Sequence, residues 1–190
     1  MSSTVIKYTH QAWEVLEKKY LFENKYMTLR QEVVQLPTGQ VHEDYFIREW
    51  EGFVTIFAMT NDGRILLNRE YKHGVKDVIV TLPAGMIDEG EGPMEAVKRE
   101  LIEETGYVVA QEPEAIGRYI IDPSACDGHM YLYFCDNIEF KGGKIEDDPG
   151  EEIENLLVTP DELRAMMDSG EINAIAQIAA IRTILEMKGL

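Results

Sequence analysis

The chain has 190 residues and a mass of 21.7 kDa, room for one domain or for one domain with an added N-terminal element. Apolar residues at 45% and charged residues at 28% are ordinary globular usage and exclude wholesale disorder. With 35 Asp and Glu against 18 Lys and Arg, the net charge is −17, so the surface repels nucleic-acid backbones and anionic membranes. A phosphate ligand would need divalent cations to approach such a surface. There is no apolar run of membrane-spanning length, and no basic region precedes an apolar stretch at the start. Cys126 and Cys135 lack metal-binding spacing, so a reduced cytoplasmic protein with no membrane or nucleic-acid partner is expected.

Taken in chain order, residues 13–20, 27–36 and 41–50 read as strands, the last two joined by the turn Leu36-Pro37-Thr38-Gly39. Strands follow at 53–59 and 65–69 around Asn61-Asp62-Gly63, and at 78–82 before Pro83-Ala84-Gly85. Pro93 opens a helix that runs to Thr105, and Gly106 stands where a helix-stopping glycine belongs. Residues 117–121 and 130–135 read as strands flanking a loop with Pro123, and a short strand at 156–158 follows the acidic segment 146–154. Thr159-Pro160 starts a helix over 160–169, and another over 173–187 closes the chain. Strands in mixed order around helices predict an α/β sandwich.

Glu100, Glu103 and Glu104 fall at i, i+3 and i+4 of the first helix, so the three carboxylates share one face. Like charges at that spacing destabilise a helix, and anions near its C-terminus oppose the macrodipole. Two local rules broken together mark a functional site, and a divalent cation such as Mg²⁺ or Mn²⁺ would relieve both. The plain alternative is a solvated acidic face partnered by Lys98 and Arg99.

The full spacing decides between them. Gly85, five residues, Glu91, seven residues, then Arg99-Glu100-Leu101-Ile102-Glu103-Glu104-Thr105-Gly106 resembles the box of the Nudix hydrolases at every fixed position. Such agreement arises by chance about once in 10⁸ trials at ordinary residue frequencies. Tyr107 departs from the usual aliphatic residue, and Ser124-Ala125 departs from the glycine that usually follows the proline of the later loop. An N-terminal hairpin, Leu82-Pro83-Ala84-Gly85 and Pro123 resemble the ADP-ribose pyrophosphatase branch.

The resemblance implies a Nudix α/β/α sandwich with a mixed sheet over residues 51–190, preceded by an N-terminal β element at 1–50 that makes a homodimer. It implies Mg²⁺-dependent hydrolysis (Mn²⁺ as a substitute) of ADP-ribose or a related nucleoside diphosphate sugar, giving a nucleoside monophosphate and a sugar phosphate. Glu100, Glu103 and Glu104 would bind the metal, foremost Glu100 and Glu104, with the Ala84 carbonyl as a backbone ligand. Arg99 would pair with Glu91 to fix the loop to the helix, and Gly85 and Gly106 would serve the backbone. Glu151 or Glu152 would act on the attacking water, although 146–154 also reads as a plain acidic loop. Arg69 and Lys72 could meet substrate phosphates or form a solvated strand end, and Pro123 lies in the substrate loop. The open alternatives are a Nudix hydrolase of another nucleotide (a GDP-sugar, a dinucleoside polyphosphate or a coenzyme) and a non-catalytic ligand sensor.

Overall fold

A computed structural model describes residues 11–24, 27–142 and 152–190. Its contacts divide the chain into two units, residues 1–50 with 122–127, and residues 51–121 with 128–190.

The first unit is a three-stranded antiparallel sheet of β1 (Glu14–Asn24), β2 (Met27–Gln35) and β3 (Val41–Glu49). The β2–β3 turn is the one its residues predict: the Gly39 N–H donates to the Leu36 carbonyl at 2.8 Å, with Gly39 at φ 88°. β1 is exposed along its whole length, including Val15, Leu16, Tyr20, Leu21 and Phe22. The proline loop, 122–127, belongs to this unit rather than to the strands it connects. The Arg48 N–H donates to the Ala125 carbonyl at 2.8 Å, and the Asp127 N–H donates back to the Arg48 carbonyl at 3.3 Å. Arg30 reaches Asp127 at 2.8 Å, and the Trp50 indole N–H donates to Cys126 Sγ at 2.7 Å with the Arg48 guanidinium over the ring.

The second unit is built on an eight-stranded mixed sheet in which β4 (Gly52–Thr60) and β10 (His129–Phe140) pair in parallel and the other ladders are antiparallel. β5 (Ile65–Lys72) lies between β4 and β11 (Ile153–Val158), with β6 (Asp77–Thr81) also paired to β5. Two three-residue strands that sequence pattern misses, β7 (Ala84–Met86) and β8 (Tyr107–Val109), pair with β4 and β10, and β9 (Glu114–Ile120) also pairs with β10.

Alternation along β4 and β5 sends side chains to two separate cores. Val54, Ile56, Ala58 and Leu66 pack with Ala96, Val97 and Leu101 of α1 (Pro93–Thr105). Phe57, Met59, Ile65 and Leu67 pack with Leu163 of α2 (Pro160–Ser169) and with Ile181 and Ile184 of α3 (Ile175–Lys188). Helices therefore cover both faces of a mixed sheet, the sandwich the sequence predicts. Tyr107, the departure from the box pattern, is accommodated by an edge-on contact with Phe140 at 5.3 Å.

Candidate active site

α1 starts at Pro93 and is stopped by Gly106, whose φ of 72° places it in the left-handed region. A Cβ at Gly106 would lie 1.9 Å from the Gly142 carbonyl oxygen, so only glycine fits. The last turn of α1 contains no basic residue to offset Glu100, Glu103 and Glu104 at the negative end of the helix dipole.

Arg99 compensates two of them. It donates to Glu100 at 2.8 Å and to Glu103 at 3.0 Å. It also grips Glu91 through two parallel bonds of 2.9 and 2.7 Å and reaches the Met86 carbonyl at 2.9 Å. The Asp88 N–H donates to the same Glu91 carboxylate at 3.2 Å, so one guanidinium ties the loop before the helix to the helix itself. The expected Arg99–Glu91 pair is thus present, partly buried. The Arg99 hydrogen bonds hold the Glu91 carboxyl below its usual range, against the opposing effect of burial.

Glu104 is placed otherwise. It is buried, with no ion pair within 4 Å among the described residues. Oε2 accepts from the Asn68 side chain at 2.8 Å and from the Ala84 N–H at 3.1 Å. Burial pushes its carboxyl up to about 8, and the charge of Glu100 adds to the rise while the Ala84 N–H opposes it. Glu70 on β5, itself buried and ion-paired to Lys72 at 2.7 Å, raises it further.

The loop between β6 and β7 is held by backbone and amide contacts. The Leu82 N–H donates to the buried Gln177 side chain at 3.2 Å, and the Pro83 carbonyl accepts from the Ile56 N–H at 3.0 Å. Gly85 follows, and a Cβ there would lie 1.9 Å from the Glu100 carboxyl carbon. That glycine is the space into which the Glu100 carboxylate fits.

Among the described residues no three His, Cys, Asp or Glu side chains form a ready cluster for a metal ion. The donor chemistry still fits a divalent cation. Glu100 and Glu104 repel each other, Glu104 Oε1 accepts no hydrogen bond among the described residues, and both carboxylates flank the Ala84–Gly85 backbone.

The remaining expected site residues are more scattered. Lys72 shares the inward face of β5 with Asn68 and Glu70. Arg69 points to the other face and is ion-paired with Glu154 at 3.1 Å and Glu171 at 2.8 Å. Glu152 is exposed and, with Arg69, Glu70 and Tyr71, lines an open cleft of about 420 Å³. Glu151 lies outside the described residues. Pro123 sits in the loop that belongs to the N-terminal unit. Sequence reasoning missed Asn68, Glu70 and Asn155. The available signal was parity, because Asn68 and Glu70 fall on the same side of β5 as the core residue Leu66.

Comparison with known proteins agrees with this architecture. Residues 52–178 match the NUDIX domain, and residues 13–47 match the nucleoside diphosphate sugar hydrolase N-terminal domain. An ADP-ribose pyrophosphatase of Bacillus subtilis is 28% identical over 84% of this chain and 85% of its own length. A methanol dehydrogenase activator of Bacillus methanolicus is 28% identical over 78% of this chain and 80% of its own. In fold, the crystal structure of an ADP compounds hydrolase superposes with a TM-score of 0.81 at 20% identity, covering 96% of this chain and 99% of that one. Members of this family generally use divalent metal ions. From box, fold and matched domain together, the chain belongs to the Nudix family and is a hydrolase.

Proposed function

We propose that this protein hydrolyses the pyrophosphate bond of ADP-ribose or a related nucleoside diphosphate sugar with Mg²⁺, releasing a nucleoside monophosphate and a sugar phosphate. The observation that carries the metal-dependent part is Glu104: a buried carboxyl beside Glu100, without an ion pair among the described residues, in a frame that leaves one oxygen open. The substrate class rests on the N-terminal match and on the pyrophosphatase relatives.

Glu100 and Glu104, with Glu103 and the Ala84 carbonyl, hold the cation; Arg99 and Glu91 keep loop and helix in register. When bound, Mg²⁺ supplies polarisation of the attacked phosphorus and charge neutralisation on the departing phosphate. Lys72 meets a substrate phosphate from the inward face of β5. Arg69 can do so only by leaving Glu154 and Glu171. Glu152 or Glu151 takes the proton of the attacking water as its oxygen bonds to phosphorus and the bridging P–O bond breaks. Pro123 contacts the substrate, two of these chains form a homodimer, and the setting is cytoplasmic.

The deciding experiment is a substrate panel with Mg²⁺: ADP-ribose, GDP- and UDP-sugars, dinucleoside polyphosphates and a coenzyme, with phosphatase-coupled detection of products. Highest kcat/KM on ADP-ribose or a nucleoside diphosphate sugar is expected. Turnover confined to dinucleoside polyphosphates or coenzymes would reassign the substrate, and binding without turnover of any of them would make the chain a sensor.

A further inference from the structure

The box accounts for three glutamates but leaves unexplained why two asparagines stand on adjacent strands beneath the last of them. Asn68 is 1% exposed, on a strand whose neighbours Leu66 and Leu67 are core residues. A primary amide buried there is costly unless it is hydrogen-bonded. Its bonds run in one direction. The Asn155 Nδ2 donates to Asn68 Oδ1 at 2.9 Å, and the Asn68 Nδ2 donates to Glu104 Oε2 at 2.8 Å. Asn155 also donates to the Glu104 carbonyl at 3.3 Å. That carbonyl lies in the last turn of α1, where helix geometry provides no donor.

The two asparagines are directly opposite in the β5–β11 register, so the sheet itself brings their side chains together. The donor order is dictated by chemistry. The Glu104 carbonyl can only accept, which turns the Asn155 amide nitrogen inward; Asn68 must then present oxygen to Asn155 and nitrogen to Glu104. Glu104 is thus held at both its main chain and its side chain, with the hydrogen bonds on the carboxylate gathered on Oε2.

We propose that Asn155 and Asn68 are positioning residues, a two-amide relay that orients the Glu104 carboxylate so that Oε1 faces a divalent cation. The inference rests on the reading of Glu104 as a cation ligand and is independent of which nucleotide is hydrolysed.

The test is Mn²⁺ titration of the purified full chain without substrate, followed by calorimetry or by the electron paramagnetic resonance of free Mn²⁺. Measurement well below the melting temperature confines it to folded protein. Asn68→Leu should weaken Mn²⁺ binding by about 10–100-fold, as losses of groups that orient metal ligands do. Asn155→Ala should weaken it less, and the loss in the double variant should fall short of the product of the two single losses, because Asn155 reaches the carboxylate only through Asn68. A purely structural role would lower the melting temperature and leave Kd unchanged. Unchanged Kd in a folded Asn68→Leu, or losses that multiply in the double variant, would overturn the relay. If Asn68→Leu does not fold, Asn155→Ala carries the test, and wild-type affinity there would overturn it. Failure of the wild-type chain to bind Mn²⁺ would overturn the cation reading together with the relay. A different substrate, with these affinities as expected, would leave the relay standing.

Discussion

At Glu104 the local physics points two ways at once, because the environment that equips the side chain for a cation also destabilises the empty fold. Its carboxyl titrates near 8 when folded and near the ordinary 4.5 when unfolded. Between those values the unfolded chain has lost the proton and the folded chain keeps it, so stability falls as pH rises. Glu104→Gln removes this penalty. Its melting temperature without metal should match wild type near pH 4 and exceed it increasingly up to about pH 8, while turnover with Mg²⁺ falls at least about 10²-fold. Glu91 has the opposite sign: its lowered carboxyl contributes stability above its ordinary value that is lost as pH falls through the folded one. Gly85→Ala tests the neighbouring ligand, since the new methyl would displace the Glu100 carboxylate. It should leave the melting temperature within a few degrees of wild type and weaken Mn²⁺ binding; unaltered affinity would remove Glu100 from the ligand set.

Among the elements, the junction of the 87–92 loop with α1 depends on one side chain. Arg99→Ala deletes the paired bonds to Glu91 and the bond to the Met86 carbonyl, and leaves Glu91 partly buried with only the Asp88 N–H. Charge-assisted bonds of this kind contribute about 2 kcal/mol, which for a chain of this length is about 4–8 °C in melting temperature. A variant melting like wild type would show that the loop needs no tie. α1 and its partners were the most legible part of the sequence, because a proline start, a glycine stop and a fixed spacing are all local signals. The two sheet-bound amides were not legible in that way, since what Asn68 does depends on a residue, Asn155, that only strand pairing brings opposite it. Strands β7 and β8 escaped for a related reason: at three residues each they have too little alternation to read.

For the whole molecule, the exposed edge strand β1 is where self-association is predicted. A long edge strand with Val15, Leu16, Tyr20, Leu21 and Phe22 in solvent invites pairing and would promote aggregation in a lone chain. A two-fold symmetric dimer, the commonest soluble oligomer, would cover such a surface. Light scattering at micromolar concentration should give about twice 21.7 kDa. Leu16→Lys together with Phe22→Lys should return the mass to that of one chain; a fully active wild-type monomer would exclude a dimer that shares its sites.

The loop 122–127 makes the molecule's modules discontinuous. Its sequence lies inside the stretch that matches the NUDIX domain, yet its hydrogen bonds run to Arg30, Arg48 and Trp50. Exchange of the first fifty residues between relatives, as a cassette, would separate the loop from the partners that shape it. A transplant that keeps the shape of this loop must carry both pieces, and insertions or deletions near Pro123 must be compensated at the end of β3, some 75 positions earlier in the chain.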